Sequence, residues 1–141
     1  MKFNKKTIYG LLFCLYVDRA GRATVGEAAA NLKAPLYFLQ AIAGQLTKAG
    51  VLTSHRGPHG GFSLVNEEVT VLSVYKALNT PSDAKSALGR SGSMERRALS
   101  HFLGDAQEFF YHGLSIPIKG VNHTLVQKEI DSLHNDAAGQ A

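Results

Sequence analysis

A glycine-rich run, Arg56-Gly57-Pro58-His59-Gly60-Gly61, holds the side chains best suited to chemistry in this sequence. It puts a cation and an imidazole on one short turn, and its glycines allow the backbone to come close to a ligand. Arginine and histidine side chains are attracted into the narrow minor groove of DNA. The run is therefore predicted to contact DNA, and the alternative is a tight turn that carries a solvated arginine.

The other reactive side chains point to no site of their own. Cys14 is the single cysteine, which excludes a disulfide framework and any metal or iron–sulfur site built from several thiolates of one chain. It lies in an apolar segment that disfavours the thiolate, so a structural role is favoured over a sensing one. Four histidines recur every 11 residues: His101, His112, His123 and His134. Eleven helical residues span about 16 Å, which leaves open only a metal site between subunits.

No arrangement typical of an enzyme is present. We find no nucleophile with a base partner and no paired carboxylates in a suitable context. The glycine-rich run lies between predicted strands, whereas a phosphate-binding loop opens a helix. We expect neither catalysis nor a bound cofactor or metal ion.

Charge is divided unevenly along the 141 residues, whose formal net charge is +4. Residues 1–62 hold eight Lys and Arg against two acidic residues, whereas residues 63–141 hold seven against nine. The N-terminal half is therefore the candidate for contact with a polyanion. Double-stranded DNA is the expected partner.

Helices and a hairpin must position these residues. Apolar spacing and capping signals predict four helices in the N-terminal half: 5–20, 24–32, 35–48 and 70–79. Strand patterns over 51–56 and 62–65 flank the glycine-rich run and predict a β-hairpin. A helix-turn-helix followed by a hairpin is the winged helix-turn-helix layout, so the predicted fold class is mainly α with a two-stranded wing.

Capping residues define the two helices of the predicted helix-turn-helix. Thr24 and Glu27 form a capping box that opens the first, and Pro35 is suited to the first position of the second. That second helix would enter the major groove with Tyr37 and Gln40 facing the bases. The alternatives are that Tyr37 packs on Phe3 or on the hairpin, and that Gln40 is a plain solvated residue.

The C-terminal half is predicted to serve assembly. Residues 81–92 lack a period and are predicted to link a DNA-binding domain (1–80) to a C-terminal region (93–141). A long helix over 94–114 has a broad apolar face that a second copy of the chain would bury. The residues expected at this dimer interface are Leu99, Phe102, Leu103, Ala106, Phe109 and Phe110.

The last segment is predicted from its chain-breaking residues. Pro117 and Gly120 are expected to interrupt the chain before a final helix over 122–133. Residues 135–141 are expected to be a frayed tail.

The N-terminal segment resembles a secretory signal only superficially. Its basic start precedes an apolar run over 8–17, but Asp18 and Arg19 follow at once, where a small, uncharged cleavage region should be. Ten apolar residues are also far fewer than the roughly 20 that span a bilayer. We expect a cytoplasmic protein without a membrane partner.

Residues 48–64, KAGVLTSHRGPHGGFSL, resemble the signature of the Rrf2 family of bacterial winged-helix transcriptional regulators. Tyr9 stands at the aromatic position of the first helix. Residues 24–29 resemble the start of the family's second helix, and residues 38–42 resemble the centre of its reading helix. The resemblance covers residues 1–79. In the long helix over 94–114 it extends only to the general pattern of the sequence.

This resemblance implies a homodimeric regulator, expected to be a repressor, on a dyad-symmetric operator. It places Tyr37, Gln40, Arg56 and His59 toward DNA, with further contacts expected from residues beside them. The full expected DNA-contacting set is Tyr9, Thr24, Lys33, Pro35, Tyr37, Gln40, Lys48, Ser54, His55, Arg56, His59, Gly60 and Gly61.

The departures from the family pattern also matter. Cluster-binding members carry three closely spaced cysteines in the stretch that corresponds to 81–94, where this chain has none. The chain therefore resembles a member without a cluster, and its effector is expected to be a small molecule or a protein acting near the linker and the long helix. His59 stands where many members have glycine. The alternative function is a degenerate winged helix that works as a protein-interaction adaptor.

Overall fold

The computed structural model describes residues 3–79 and 92–139. The elements within these ranges are α1 (Lys5–Ala20), α2 (Val25–Leu32), α3 (Leu36–Lys48), β1 (Leu52–His55), β2 (Gly61–Leu64), α4 (Val71–Leu78), α5 (Met94–Gly113) and α6 (Ile118–Gly139). The predicted mainly helical fold with a two-stranded wing is confirmed. Apart from Gly92, the predicted linker lies outside the described residues.

Helix α1 is the element around which the others pack, and it contacts α2, α3, α4, α6 and β2. Its N-terminus is tied down by a polar chain: the Asn79 amide donates to the Thr7 hydroxyl (2.8 Å), which donates to the Asn4 side chain (2.9 Å). Thr7 is fully buried, so these bonds satisfy a polar group that burial would otherwise penalise. The helix ends at Gly21, as predicted, where φ is 79°.

The core lies between α1, α3 and α4, and Ile118 of α6 packs into it. Its largest fully buried side chains are Phe13, Val17, Leu39, Ile42, Leu46, Val74 and Ile118. On α3 these apolar residues recur at helical spacing, so one side of the helix is fixed in the core and the other is left facing solvent. The orientation of α3 is thereby set by packing.

The turn between α2 and α3 differs in one detail from the prediction. Lys33 ends α2 in the left-handed region (φ 54°), and its N–H donates to the carbonyl of Ala29. Pro35 is the N-cap of α3, not its first helical residue, because its ψ of 130° is extended. Its carbonyl accepts the Leu39 N–H at 3.2 Å, so Pro35 starts the helix without needing an N–H of its own.

The wing, residues 52–64, is an antiparallel hairpin in which Leu52 lies opposite Leu64 and His55 opposite Gly61. Its second strand also pairs with Ala23, through Phe62 N–H to Ala23 O (2.7 Å) and the reverse bond (3.0 Å). A Cβ on Gly61 would lie 2.6 Å from the Ala23 carbonyl oxygen, and the φ of Gly61 is 129°. Glycine is thus required where the wing meets the chain that enters α2.

The final helix begins earlier and ends later than predicted. Helix α6 starts at Ile118, so Gly120 lies inside it, and its backbone continues through residues expected to be a frayed tail as far as Gly139. Ile118 is fully buried and donates its N–H to the Val69 carbonyl (2.8 Å), which fixes the start of the helix. Tertiary contact therefore overrides the local helix-breaking signal.

Candidate nucleic-acid interface

Helix α3 presents the expected reading surface to solvent. Leu39, Ile42, Ala43 and Leu46 face the core. The exposed side holds Leu36, Tyr37, Gln40, Ala41, Gly44, Gln45 and Lys48, which we call the outer stripe. The Tyr37 side chain is 76% exposed. The stripe therefore offers one phenol, two amides and a cation to an approaching ligand.

The alternative in which Tyr37 packs on Phe3 or on the hairpin is wrong, because other rings occupy both places. The Phe3 ring lies 5.8 Å from that of Tyr75 and 5.9 Å from that of Phe110. The wing's aromatic residue, Phe62, contacts Phe13 of the core instead. Tyr37 is therefore free of the two partners that would have withdrawn it from the surface.

Tyr9 has a role within the chain that the resemblance did not indicate. It is half-buried, and its ring lies edge-on to Phe38 of α3 with the centroids 5.6 Å apart. The Lys5 ammonium lies 5.9 Å from the Tyr9 ring and 5.8 Å from the Phe38 ring, within the range of cation–π attraction. This cluster joins the start of α1 to the start of α3 and places a lysine near the outer stripe.

The tip of the wing is a β-turn. The Gly60 N–H donates to the Gly57 carbonyl at 2.9 Å, with Pro58 at the second turn position, which suits its fixed φ. A Cβ on Gly60 would lie 2.7 Å from the His55 carbonyl oxygen, so this glycine is required by the turn itself. The neighbouring Arg56 and His59 are exposed. The turn thus holds both side chains out in solvent.

Arg22 fixes the wing tip from outside the hairpin. Its guanidinium donates to the His59 carbonyl at 3.1 Å, across 37 residues of sequence. The adjacent residue, Ala23, pairs with Phe62, so the segment before α2 holds the wing at two points. Sequence reasoning missed Arg22, because no local pattern brings it to the turn.

The remaining predicted contact residues differ in how available they are. His55 is half-buried, and its Nε2 lies 2.7 Å from the Ser63 hydroxyl oxygen across the hairpin. Thr24 uses its hydroxyl to accept the Glu27 N–H (3.1 Å), which is one of the two bonds of the predicted capping box. Ser54 is exposed and lies on the first strand of the wing. His55 and Thr24 are thus already engaged within the chain.

Two lysines and one glutamine complete the surface around α3. Lys33 and Lys48 are exposed at the turn before α3 and at its last turn, respectively. Gln45 was missed by sequence reasoning, although its spacing of four residues from Ala41 and three from Lys48 places it on the same side of the helix as both. Cations thus lie at both ends of the outer stripe.

Helix α5 leaves most of its apolar side uncovered, and none of its residues is buried. Phe102 is 66% and Phe109 is 81% exposed. Leu99 is exposed too, whereas Leu103 and Ala106 are half-buried. The remaining predicted interface residue, Phe110, packs within its own chain, against Phe3 and Tyr75 (5.4 Å between the Tyr75 and Phe110 ring centroids).

Among residues 3–79 and 92–139, no helix is both long enough and apolar enough to cross a membrane.

Comparison with known proteins points to one family. The sequence pattern of the Rrf2 family, described as an iron-dependent transcriptional regulator, matches residues 3–116. A comparison with curated proteins found no match.

Solved structures of similar fold include three regulators. CymR (YrzC), the global cysteine regulator of B. subtilis, has a TM-score of 0.68 at 19% identity over 88% of this chain and 98% of its own. Oxidised CymR of Staphylococcus aureus has a TM-score of 0.63 at 23% identity over 86% and 96%. IscR of T. potens has a TM-score of 0.67 at 19% identity over 89% and 88%. At these identities the likeness establishes the fold.

The donor set of this chain does not fit an iron–sulfur cluster. Such clusters are held by several thiolates, and Cys14 is the single cysteine. Cys14 is fully buried, and burial raises the pKa of its thiol to about 12, so the thiol stays protonated at neutral pH. Across residues 3–79 and 92–139, no three His, Cys, Asp or Glu side chains lie together as metal ligands would.

Proposed function

Because the chain belongs to the Rrf2 family of transcriptional regulators, we propose that it binds double-stranded DNA as a homodimer and represses transcription at a dyad-symmetric operator. The family is one of regulators and not of enzymes, which agrees with the lack of a catalytic arrangement in the sequence. The proposed place of action is the cytoplasm, where the DNA of a bacterium lies.

The exposure of Tyr37 beside Gln40 on α3 is the observation that best supports base reading. The major groove admits a helix, and glutamine pairs well with the edge of adenine. In a helix-turn-helix the residues of the first turns of the second helix reach the bases. Tyr37 and Gln40 are proposed to read sequence, Gln45 to extend the contact, and Lys33 and Lys48 to meet phosphates.

The wing is proposed to contact the adjacent minor groove. Arg56 and His59 stand out from a turn that hydrogen bonds hold at its base and at its tip. Because the backbone of this turn is already held in place, less backbone conformational entropy is lost when Arg56 enters a groove. Gly60 and Gly61 serve this contact indirectly, because they allow the turn to form.

Dimerisation is proposed to use the uncovered apolar side of α5. Large exposed rings such as Phe102 and Phe109 are unfavourable in water, and a second copy of the chain would bury them. A twofold dimer presents two reading helices to two half-sites about one helical turn of DNA apart. The proposed dimer would therefore match an operator with dyad symmetry.

Selection of bound duplexes from a random DNA pool tests this proposal directly. The expected result is one enriched motif with twofold symmetry, whose affinity falls steeply as the salt concentration rises, because phosphate contacts release counterions. The second candidate, a protein-interaction adaptor, is favoured by Leu36, which is exposed next to Tyr37 on the same stripe. If no motif were enriched, and if the affinity of the protein for DNA did not change with salt concentration, the adaptor would be supported.

A further inference from the structure

A cleft of about 250 Å³ lies between α1, α2 and α6, away from the outer stripe and the wing. Its apolar lining comes from all three helices: Leu12 and Leu15 of α1, Leu32 of α2 and Val121 of α6. Its polar lining includes Tyr16 and Arg19 of α1, Asn31 of α2 and Glu129 of α6. The cleft therefore combines a hydrophobic wall with groups of both charges.

The charged groups of the cleft are not paired with each other. Within the described parts of the chain, the side chains of Arg19 and Glu129 take part in no hydrogen bond or ion pair, and the same holds for the Tyr16 hydroxyl and the Asn31 side-chain amide. The amide nitrogen of Asn122, which also lines the cleft, is by contrast bonded within the chain. It donates to the Leu15 carbonyl (2.9 Å) and to the Asp18 carboxylate (2.7 Å).

From this arrangement we propose that the cleft binds a small zwitterion with an aliphatic body, namely an α-amino acid with an aliphatic side chain. Arg19 meets the carboxylate through charge-assisted hydrogen bonds, and Glu129 meets the ammonium group. The aliphatic side chain lies against the leucines of α1 and α2. A polyanion or a simple anion is disfavoured by Glu129, and a simple cation is disfavoured by Arg19.

The size of the cleft limits the ligand further. Pockets for drug-sized molecules have volumes of about 300–1,000 Å³, and this cleft lies just below that range. A single amino acid suits it, and a peptide or a nucleotide does not. L-Leucine is the probe of choice because its branched side chain matches the apolar wall and its two charges match the rim.

The position of the cleft connects ligand binding to the reading helix. Helix α2 packs on α3, and α6 packs on α1. A ligand that contacts both α2 and α6 biases the placement of the helix-turn-helix relative to the C-terminal helices, to the extent that it binds one placement more tightly. This regulatory step rests on the proposed function, whereas amino acid binding does not.

Calorimetric titration of the full chain tests the site. Leucine should bind, whereas isocaproate, which lacks the ammonium group, and isopentylamine, which lacks the carboxylate, should each bind at least about tenfold more weakly. Arg19→Gln should weaken leucine and isocaproate but spare isopentylamine. Glu129→Gln should weaken leucine and isopentylamine but spare isocaproate. No leucine binding at millimolar concentration, or binding unchanged in both variants, would overturn the site.

Arg56→Gln is the matched control, because it removes the same charge at the wing. It should leave leucine affinity unchanged while weakening DNA binding. Leucine binding in a protein that binds no DNA would contradict the proposed function and support this site. DNA binding without leucine binding would support the proposed function and contradict this site.

If the protein binds both ligands, saturating leucine should change its affinity for DNA, and DNA should change its affinity for leucine by the same factor. If the affinity for DNA were the same with and without leucine, the regulatory step would be overturned.

Discussion

The guanidinium of Arg22 donates a hydrogen bond of 3.1 Å to the backbone carbonyl of His59. The two residues are 37 positions apart, and the bond ties the segment before α2 to the tip of the wing. Because Arg22 precedes Ala23, which pairs with Phe62, the wing is held both on its second strand and at its tip. The orientation of Arg56 and His59 therefore depends on a residue outside the hairpin.

Replacing Arg22 by Ala should loosen the wing tip. A hydrogen bond of this kind contributes about 0.5–1.5 kcal/mol, so DNA affinity should fall several-fold and the Gly60 amide should exchange its hydrogen faster. Lys128→Ala is the charge control, because it removes an exposed cation from α6 without touching the bond to His59. If the Gly60 amide exchanged its hydrogen at the same rate in Arg22→Ala as in the unmodified protein, Arg22 would not position the wing tip.

Replacing Arg56 by Ala should weaken operator binding by about 1–3 kcal/mol while the fold and the dimer stay intact. The loss follows from removing the exposed cation that the wing presents. Fluorescence anisotropy with a labelled duplex measures the affinity, and circular dichroism checks the fold. Lys128→Ala, on exposed α6, is a charge control that should bind normally. Equal affinity of Arg56→Ala and the unmodified protein at physiological salt would refute the wing contact.

Replacing Phe109 by Asp should produce monomers or aggregates. The ring is 81% exposed on α5, and a charge there would be buried by the proposed dimer contact. Light scattering measures the assembly. Phe110→Ala is the informative comparison, because Phe110 packs on Phe3 and Tyr75 of its own chain and its loss should lower the free energy of unfolding instead. A monomeric unmodified protein at micromolar concentration would exclude the dimer.

Replacing Gly61 by Ala should destabilise the wing more than the same change at Gly57. Both glycines have positive φ, 129° and 102°, so both changes introduce backbone strain of about 1–3 kcal/mol. Only at Gly61 would the new Cβ also meet the Ala23 carbonyl oxygen, whereas it meets nothing within 4 Å at Gly57. Urea unfolding measures both variants. Equal losses would show that the pairing with Ala23 does not constrain the wing.

Stability should fall above about pH 9 because of Cys14. Burial raises the pKa of its thiol from 9.0 to about 12, so between these values the unfolded chain releases a proton that the folded chain keeps. The free energy of unfolding should drop by up to about 1.4 kcal/mol per pH unit in this window. Urea unfolding at a series of pH values measures this dependence, and Cys14→Ala should lack the decrease in the free energy of unfolding that the thiol causes. Parallel slopes in both proteins would indicate that the thiol is accessible to solvent.

Local signals in the sequence identified most of the elements. Thr24 predicted the start of α2, Gly21 the end of α1, and the glycine-rich run a hairpin turn, because each acts through hydrogen bonds or φ values within a few residues. The start of α6 was predicted four residues too late. Pro117 and Gly120 read locally as breakers, whereas the burial of Ile118 decides where the helix begins.

The candidate site was predicted in part for the same reason. Helical spacing put Tyr37 and Gln40 on one side of α3, and the glycine-rich turn marked Arg56 and His59. The positions of Tyr9 and His55 could not be predicted, because each depends on a partner brought near by folding, Phe38 and Ser63 respectively.

The sequence by itself determined the helix-turn-helix, the wing turn, the lack of thiolates for a cluster and the basic N-terminal half, since these depend on residue type and short-range spacing. Only the tertiary structure decided that Arg22 holds the wing, that Phe110 turns inward while Phe109 faces solvent, and that Arg19 and Glu129 share a cleft. Those relationships join residues far apart in the chain. The packing of the other helices around α1 brings these residues together, and short-range sequence patterns do not predict it.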